Sequence, residues 1–380
     1  MLFMFYFFGA SSMGDQRALI TAYRDEITSI DEEIFRLIKK REQLSSQIGE
    51  AKRELNIPDR DMTREKAVFD HALAMARSLD LPELFAAGLQ QLIIDESLSR
   101  QQRDRIRNNT PKKILKIAVI GGAGRMGGWL SQFLADSGHE ITIIDKIRPT
   151  TNLLYNSDIS PNINKQDLII IATPIRTSVE ILEKLGSYNL TNTTIFDVSS
   201  VKSPVYESLC KLRDNNIAVT SIHPMFGPSV QLFFGKHIIL TSLGVKRADM
   251  LAGDLFKSTA LTVLNMSIDQ HDQTMSYVLS LSHLVNIIFV LALEQSSNNI
   301  ANLELLASPT FTTMLTQARK VFDENPHLYY EIQAFNNYNK KSYDQLKRAL
   351  TNILSAVTNN DEENFVAMMT SGREFLRRAT

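Results

Sequence analysis

One stretch limits what this chain can fold into more than any other: Lys116-Ile-Ala-Val-Ile-Gly-Gly-Ala-Gly-Arg-Met-Gly-Gly, residues 116–128. Ile117 to Ile120 is a short apolar run rich in β-branched residues, which suits a strand buried on both faces. Gly122, Gly124 and Gly127 then fit G-x-G-x-x-G. In that pattern the first glycine permits a tight turn and the second lets the backbone approach a pyrophosphate. The third lets the following helix pack on the strand, with its free N–H groups facing the phosphates. The pattern alone is weak, but Glu140-Ile-Thr-Ile-Ile-Asp145 follows as a second strand ending in an acid, about 20 residues on. A carboxylate there can hydrogen-bond ribose hydroxyls and would repel a 2′-phosphate, so the spacing predicts NAD rather than NADP. A glycine turn in an α/β fold without a cofactor is the plain alternative.

Further strands are predicted over Asp167 to Ala172, Thr194 to Asp197, Ala218 to Ile222 and Lys236 to Thr241. Ligands of such sheets sit beyond the carboxyl ends of the strands. Thr173-Pro174, then Ser200 with Lys202, then His223-Pro-Met-Phe-Gly-Pro228 are therefore expected to converge. His223, between a strand and a Pro/Gly loop, has an ordinary titration range suited to a general base at neutral pH. A histidine bonded to backbone is the alternative reading.

With 380 residues the chain should form two or three domains. Its net charge of -1 gives no reason to expect nucleic acid or an anionic membrane as a partner. One cysteine, Cys210, and 7 histidines offer neither a disulfide framework nor a metal cluster, so a reducing, cytoplasmic setting is expected. Met1 to Phe8 is apolar but too short to span a bilayer, and it lacks the basic leader of a secretory signal. Residues 1–12 read as an upstream extension, with a short membrane-associating tail as the alternative.

Before the glycine loop the chain reads as helix only. Leu19, Ile27, Ile30, Ile34, Leu37, Ile38, Leu44 and Ile48 mark one stripe of a helix from Asp15 to Lys52, about 55 Å long. Pro58 ends it. Asp61 or Thr63 could cap a second helix reaching Leu79, and Pro82 suits the first turn of a third that runs to Arg107. Arg41 and Lys52 fall on nearly one face, about 16 Å apart, and could close on a small dianion from both ends. Arg24 lies about 25 Å back along the helix from Arg41; it is surface charge, or it reaches the pocket of a second subunit. Asp61, Arg64 and Glu65 share a face, as do Ser97 and Gln101. A solvated bundle with ordinary surface charges fits these spacings equally well.

This segment resembles the all-helical chorismate mutases over residues 14–106. The matching residues are Tyr23-Arg24-Asp25-Glu26-Ile27, Lys40-Arg41-Glu42, Ile48-Gly49-Glu50-Ala51-Lys52, Asp61-Met-Thr-Arg64-Glu65 and Leu92-Ile-Ile-Asp-Glu-Ser97-Leu-Ser-Arg-Gln101. The resemblance implies a homodimer in which Arg24 enters the partner's site. It implies that Arg24 and Arg41 hold the two carboxylates of chorismate, and that Lys52 and Gln101 donate to the ether oxygen. Asp61 and Glu65 would flank the ring hydroxyl, with Ser97 nearby and Arg64 bracing the site. The reaction so implied is a Claisen rearrangement to prephenate, which needs a held conformer and stabilised charge but no proton transfer.

Residues 114–378 resemble the prephenate dehydrogenases, on the glycine loop, Asp197-Val-Ser-Ser-Val-Lys202, His223-Pro-Met-Phe-Gly-Pro, Gln270-His271-Asp272 and Leu281-Ser-His283. Together the two halves resemble the bifunctional enzymes of tyrosine biosynthesis. The implied architecture is an all-helical domain at 14–106, a Rossmann-type NAD-binding domain at 114–265 and a helical substrate and dimerisation domain at 266–380. Gly122, Gly124, Arg125, Met126, Gly127, Asp145, Thr173 and Pro174 would hold NAD. His223 would take the 4-hydroxyl proton as hydride leaves the ring, and loss of carbon dioxide would aromatise it. Ser200 would lie between His223 and the nicotinamide, with Lys202 and His283 lining the site. Tyrosine is an expected feedback inhibitor, and neither nucleic acid nor a membrane is an expected partner.

The pattern departs from the family after Ser308-Pro309, where Thr312 stands in place of an arginine. A second family arginine falls at Lys320, beside Arg319. Lysine supplies charge but no bidentate fork for a carboxylate. The departure implies weaker prephenate binding or a substrate such as 4-amino-4-deoxyprephenate; a dehydrogenase half with a non-catalytic regulatory and dimerisation role is a separate alternative. The remaining helices are expected at Met275 to Leu293, Phe311 to Phe322, Leu328 to Asn359 and Asp361 to Arg378.

Overall fold

The chain divides into two units, Met1–Asn109 with Gln231–Phe234, and Thr110–Val230 with Gly235–Thr380. The structure, a computed structural model, describes residues 13–55, 57, 60–108, 111–159, 161–230 and 232–378. The expectation for residues 1–12 lies outside the described residues.

The first unit is built on three helices, α1 (Met13–Glu54), α2 (Met62–Ser78) and α3 (Glu83–Asn108). Asp61 caps α2, its carboxylate accepting the Arg64 N–H at 2.9 Å. α1 approaches α3 closely at Gly49, where a Cβ would lie 2.8 Å from Cγ of Gln101. That contact explains a glycine inside a long helix despite its cost of about 1 kcal/mol relative to alanine. Leu19, Ile27, Ile30, Ile34 and Leu37 on α1 are exposed in the single chain.

The second unit holds an eight-stranded sheet, with β1 (Lys116–Ile120), β2 (Glu140–Ile144), β3 (Leu154–Asn156), β4 (Leu168–Ile171), β5 (Thr194–Asp197), β6 (Ala218–Pro224), β7 (His237–Thr241) and β8 (Thr262–Asn265). The strand order is β3-β2-β1-β4-β5-β6-β7-β8. All neighbouring pairs are parallel except β6 with β7. The helices α4 (Arg125–Asp136), α5 (Ile175–Leu185), α6 (Ser203–Asp214) and α7 (Lys246–Phe256) accompany it. Ile169, Ile171, Ile195, Val219, Leu182 and Leu209 pack in one buried cluster, which is why the central strands read as unbroken apolar runs. The chain order reverses between β1 and β4, the position at which such sheets bind dinucleotides.

Seven helices follow: α8 (Ile268–Met275), α9 (Ser282–Gln295), α10 (Ile300–Leu305), α11 (Pro309–Phe322), α12 (Pro326–Phe335), α13 (Asn339–Thr358) and α14 (Glu362–Arg377). A π-helical stretch, Ser276–Leu281, joins α8 to α9. The single helix expected from Leu328 to Asn359 is broken. Asn336 adopts an extended ψ of 112°, and its side-chain amide donates to the Asp272 carbonyl at 2.7 Å. Ile268–Gln295 is long and apolar enough to cross a membrane by length and composition, with 11% of its most apolar window buried.

Candidate active sites

The parallel strands place Gly121, Asp145, Thr173, Ser199 and Ser200 at one edge of the sheet, and β6 brings His223 to it. The glycine loop is tighter than the sequence suggested. The left-handed turn falls on Gly121 (φ +84°) rather than on Gly122. Gly122 is excluded from carrying a side chain for another reason, since a Cβ would sit 2.8 Å from Ile143. At Gly127 a Cβ would lie 2.2 Å from the Gly121 carbonyl oxygen, so the start of α4 lies directly on the turn. Gly124 is the N-cap of α4 and offers no side chain to its first N–H groups. Those donors suit an anion. Asp145 accepts the Ala123 N–H at 3.0 Å and the Ile147 N–H at 3.1 Å, which fixes its carboxylate beside the loop. This cradle and its acid fit NAD.

Around the loop, Arg125 is ion-paired with Glu324 at 2.6 Å, and Met126 is half-buried. Thr173 Oγ1 lies 2.9 Å from Ser178 Oγ, and Pro174 is the N-cap of α5. Glu331 on α12 accepts the Ile175 N–H at 2.7 Å and the Arg176 N–H at 3.3 Å. A buried carboxylate thus closes the N-terminus of α5 and ties the C-terminal helices to the sheet edge.

His223 is buried, and its Nδ1 lies 2.9 Å from Nε2 of His271. His271 Nδ1 lies 2.7 Å from Asp272 Oδ1. Asp272 also accepts the backbone N–H groups of Lys202 (2.9 Å) and Ser203 (2.7 Å) and the Ser203 hydroxyl. Burial raises the Asp272 carboxyl, but His271, Ser203 and the two N–H groups outweigh it and hold it below the usual range. An ionised carboxylate only accepts, so His271 Nδ1 carries the proton and its Nε2 accepts from His223 Nδ1. Nε2 of His223 is then the lone-pair nitrogen. Burial, reinforced by His271 and Lys202, pushes the His223 imidazole well below its ordinary value. Burial likewise lowers His271 against the opposing pull of Asp272.

Lys202 departs from expectation. It is fully buried, with its ammonium 3.1 Å from Asp197 and 2.8 Å from the Ile222 carbonyl, so it braces β5 against β6 rather than presenting a charge to substrate. Burial lowers its ammonium, with Asp197 opposing. Ser200 is half-buried beside Ser199, whose hydroxyl is buried without a protein partner. His283 stacks edge-on against Tyr329 with ring centroids 4.6 Å apart. Its Nδ1 is buried and unpartnered, and burial lowers it to about 4. Lys320 and Thr312 are exposed on α11. The roles of His271 and Asp272 were missed in the sequence, although the adjacent His-Asp pair ahead of an apolar helix was a usable signal. Among the described residues no group of three or more metal-ligating side chains could hold a metal ion.

In the helical unit, Arg41 Nη1 donates to the Ser97 hydroxyl and to the Ile93 carbonyl at 3.3 Å, bringing α1 and α3 together. Burial lowers the Arg41 guanidinium. Gln101 does not stand as a free donor. Its amide nitrogen donates to the Ser45 carbonyl (3.0 Å) and hydroxyl (2.8 Å), while Oε1 is buried without a partner. The close approach at Gly49 holds the Gln101 stem against α1 and sets this orientation. Lys52 is half-buried on α1, and Arg24 is exposed near its start. Glu65 is gripped by Arg60 through Nε at 2.8 Å and Nη2 at 2.9 Å. Arg64 is exposed.

Three families match in this order along the chain: chorismate mutase type II over residues 23–102, the nucleotide-binding domain of prephenate dehydrogenase over 144–255, and the dimerization domain of prephenate dehydrogenase over 267–371. The T-protein of Haemophilus influenzae is 28% identical over 355 residues, covering 90% of this chain and 88% of its own. The T-protein of Enterobacter agglomerans is 22% identical, covering 92% and 91%. The 4-amino-4-deoxyprephenate dehydrogenase of Streptomyces pristinaespiralis is 25% identical over 275 residues, covering 69% and 91%. The crystal structure of Aquifex aeolicus prephenate dehydrogenase with hydroxyphenyl propionate and NAD+ superposes with a TM-score of 0.59 at 20% identity, covering 70% of this chain and 99% of that one. A helical mutase unit followed by a dinucleotide-binding dehydrogenase defines a two-activity enzyme. The chain belongs to the bifunctional chorismate mutase–prephenate dehydrogenases of tyrosine biosynthesis.

Proposed function

We propose that the two sites catalyse consecutive steps: chorismate to prephenate in the helical unit, then oxidative decarboxylation of prephenate to 4-hydroxyphenylpyruvate at the sheet edge. The observation that carries the second step is the buried His223, whose Nδ1 is committed to His271. Its Nε2 is the base for the ring 4-hydroxyl. Ser200 orients that hydroxyl, and His283 bounds the pocket. Gly122, Gly124, Arg125, Met126, Gly127, Asp145, Thr173 and Pro174 hold NAD, which when bound supplies the two-electron acceptor. As the ring carbon is oxidised, the 4-hydroxyl proton passes to His223. The bond to the ring carboxylate breaks, carbon dioxide leaves, the freed electron pair makes the ring aromatic, and the 4-oxygen takes its proton back from His223.

In the helical unit, Arg41 and a partner's Arg24 bind the two carboxylates. Lys52 is assigned to the ether oxygen, because the Gln101 amide hydrogens are taken by Ser45. Asp61 and Glu65 meet the ring hydroxyl, with Ser97 and Arg64 supporting. The enzyme acts as a homodimer in the cytoplasm, through the exposed apolar faces of α1 and α9, with tyrosine as its feedback inhibitor.

The exposed Lys320 and Thr312, where the family has arginines, favour one second reading: a 4-amino relative of prephenate as the dehydrogenase substrate. Supplying prephenate and 4-amino-4-deoxyprephenate separately with NAD decides between them. A higher kcat/KM for prephenate supports the first reading, and a higher value for the amine supports the second.

A further inference from the structure

The helical unit is not one continuous stretch of chain: Gln231–Phe234, which lie in the sequence between β6 and β7, belong to it. Phe233 is buried, and its N–H donates to Oε1 of Gln102 at 2.9 Å, one residue beyond Gln101 on α3. Phe234 lies beneath Arg60, with the guanidinium carbon 3.9 Å from the ring centroid. Arg60 in turn holds both oxygens of Glu65, at 2.8, 3.1 and 2.9 Å. The Arg60 and Glu65 side chains are only 24% and 14% exposed, so this pair is shielded from solvent on most sides.

We infer that Phe234 and Arg60 are positioning residues for the mutase site, acting through Glu65. The inference rests on the mutase reading of that unit. A carboxylate has about four acceptor positions, so Arg60 can hold Glu65 and still leave a lone pair for a substrate hydroxyl. A bidentate guanidinium fixes the plane of the carboxylate. Nothing in the Arg60–Glu65 pair alone fixes the direction of the guanidinium, which sits on a long and flexible stem. The face of an aromatic ring does so, because it attracts the cation and restricts it to one plane. Phe233, pinned to α3 by its backbone, sets where that ring lies. Residues far from α2 in sequence therefore aim a carboxylate that α2 carries.

Full-length Phe234→Leu, which keeps apolar bulk but removes the ring face, tests the assignment. KM for chorismate should rise about tenfold with kcat little changed, while Phe234→Tyr should restore it. In a Glu65→Gln background, Phe234→Leu should add little, since the residue through which it acts is already altered. A wild-type KM in Phe234→Leu, or a full additional penalty in the Glu65→Gln background, overturns the inference. Dehydrogenase turnover and thermal melting of the same samples identify a variant that has merely lost its fold, and the Phe234→Tyr comparison then decides: a tenfold KM rise there despite the retained ring contradicts the proposal. Failure of the mutase reading itself would look different, as wild-type protein that leaves chorismate unchanged.

Discussion

Nδ1 of His223 and Nε2 of His271 lie 2.9 Å apart in the interior, and the Asp272 carboxylate beyond them decides which nitrogen carries which proton. His223→Asn should therefore keep NAD binding and lose dehydrogenase turnover by about 10²–10⁴-fold, the usual worth of a positioned base. Mutase turnover in the same protein is the internal control. Retained dehydrogenase activity would overturn the role of His223.

Asp272→Asn reverses the relay. An amide N–H facing His271 Nδ1 favours the opposite tautomer, which leaves His223 Nε2 protonated and unable to act as a base. The variant should lose kcat by orders of magnitude while KM for prephenate stays within a few-fold. Because Asp272 also accepts N–H groups at the start of α6, the melting temperature should be followed alongside. A kcat close to wild type in a folded variant contradicts the relay.

The depressed His223 imidazole makes a pH prediction. The catalytic form is the neutral one, and its folded pKa lies below the ordinary 6.5. The acid limb of dehydrogenase kcat/KM should thus fall below pH 6.5. Stability has the same sign: the depressed histidines favour folding fully above about pH 6.5, and their contribution is lost as pH falls toward the folded values, which for His283 is about 4. An acid limb above pH 7 would contradict the buried environment.

Lys202 and Asp197 are both fully buried and 3.1 Å apart. Lys202→Met leaves an uncompensated carboxylate, and breaking a buried pair in this way costs about 3–5 kcal/mol. Denaturant unfolding of the dehydrogenase unit should show that loss. A change below about 1 kcal/mol would mean that the pair is not what braces β5 and β6.

The glycine loop, the acid at the end of β2 and the central strands were legible because buried parallel strands read as apolar runs and phosphate turns need glycine at fixed spacing. The short outer strands β3 and β8 were not, since Leu154–Asn156 and Thr262–Asn265 are largely exposed and carry no alternating pattern. The break at Asn336 was hidden for a different reason: its cause is a hydrogen bond to Asp272, 64 residues away. Lys202 illustrates the limit for sites. Its place in a polar run after a strand suggested contact with substrate, but one partner of its ammonium, the Ile222 carbonyl, lies on β6 and comes alongside only once β5 and β6 are paired. Arg60 and Phe234 lie 174 residues apart in sequence and carry no shared motif.

Lys52→Ala should abolish most chorismate rearrangement with the fold intact, because the ether oxygen loses its cationic donor. Near-normal mutase turnover in a folded Lys52→Ala protein would refute that assignment.

The most direct test of two consecutive activities in one chain supplies purified protein with chorismate and NAD and follows NADH absorbance. The prediction is steady NADH formation with 4-hydroxyphenylpyruvate as product, lost in either Lys52→Ala or His223→Asn and restored when these two variants are mixed. No NADH from wild-type protein with chorismate or with added prephenate would contradict it.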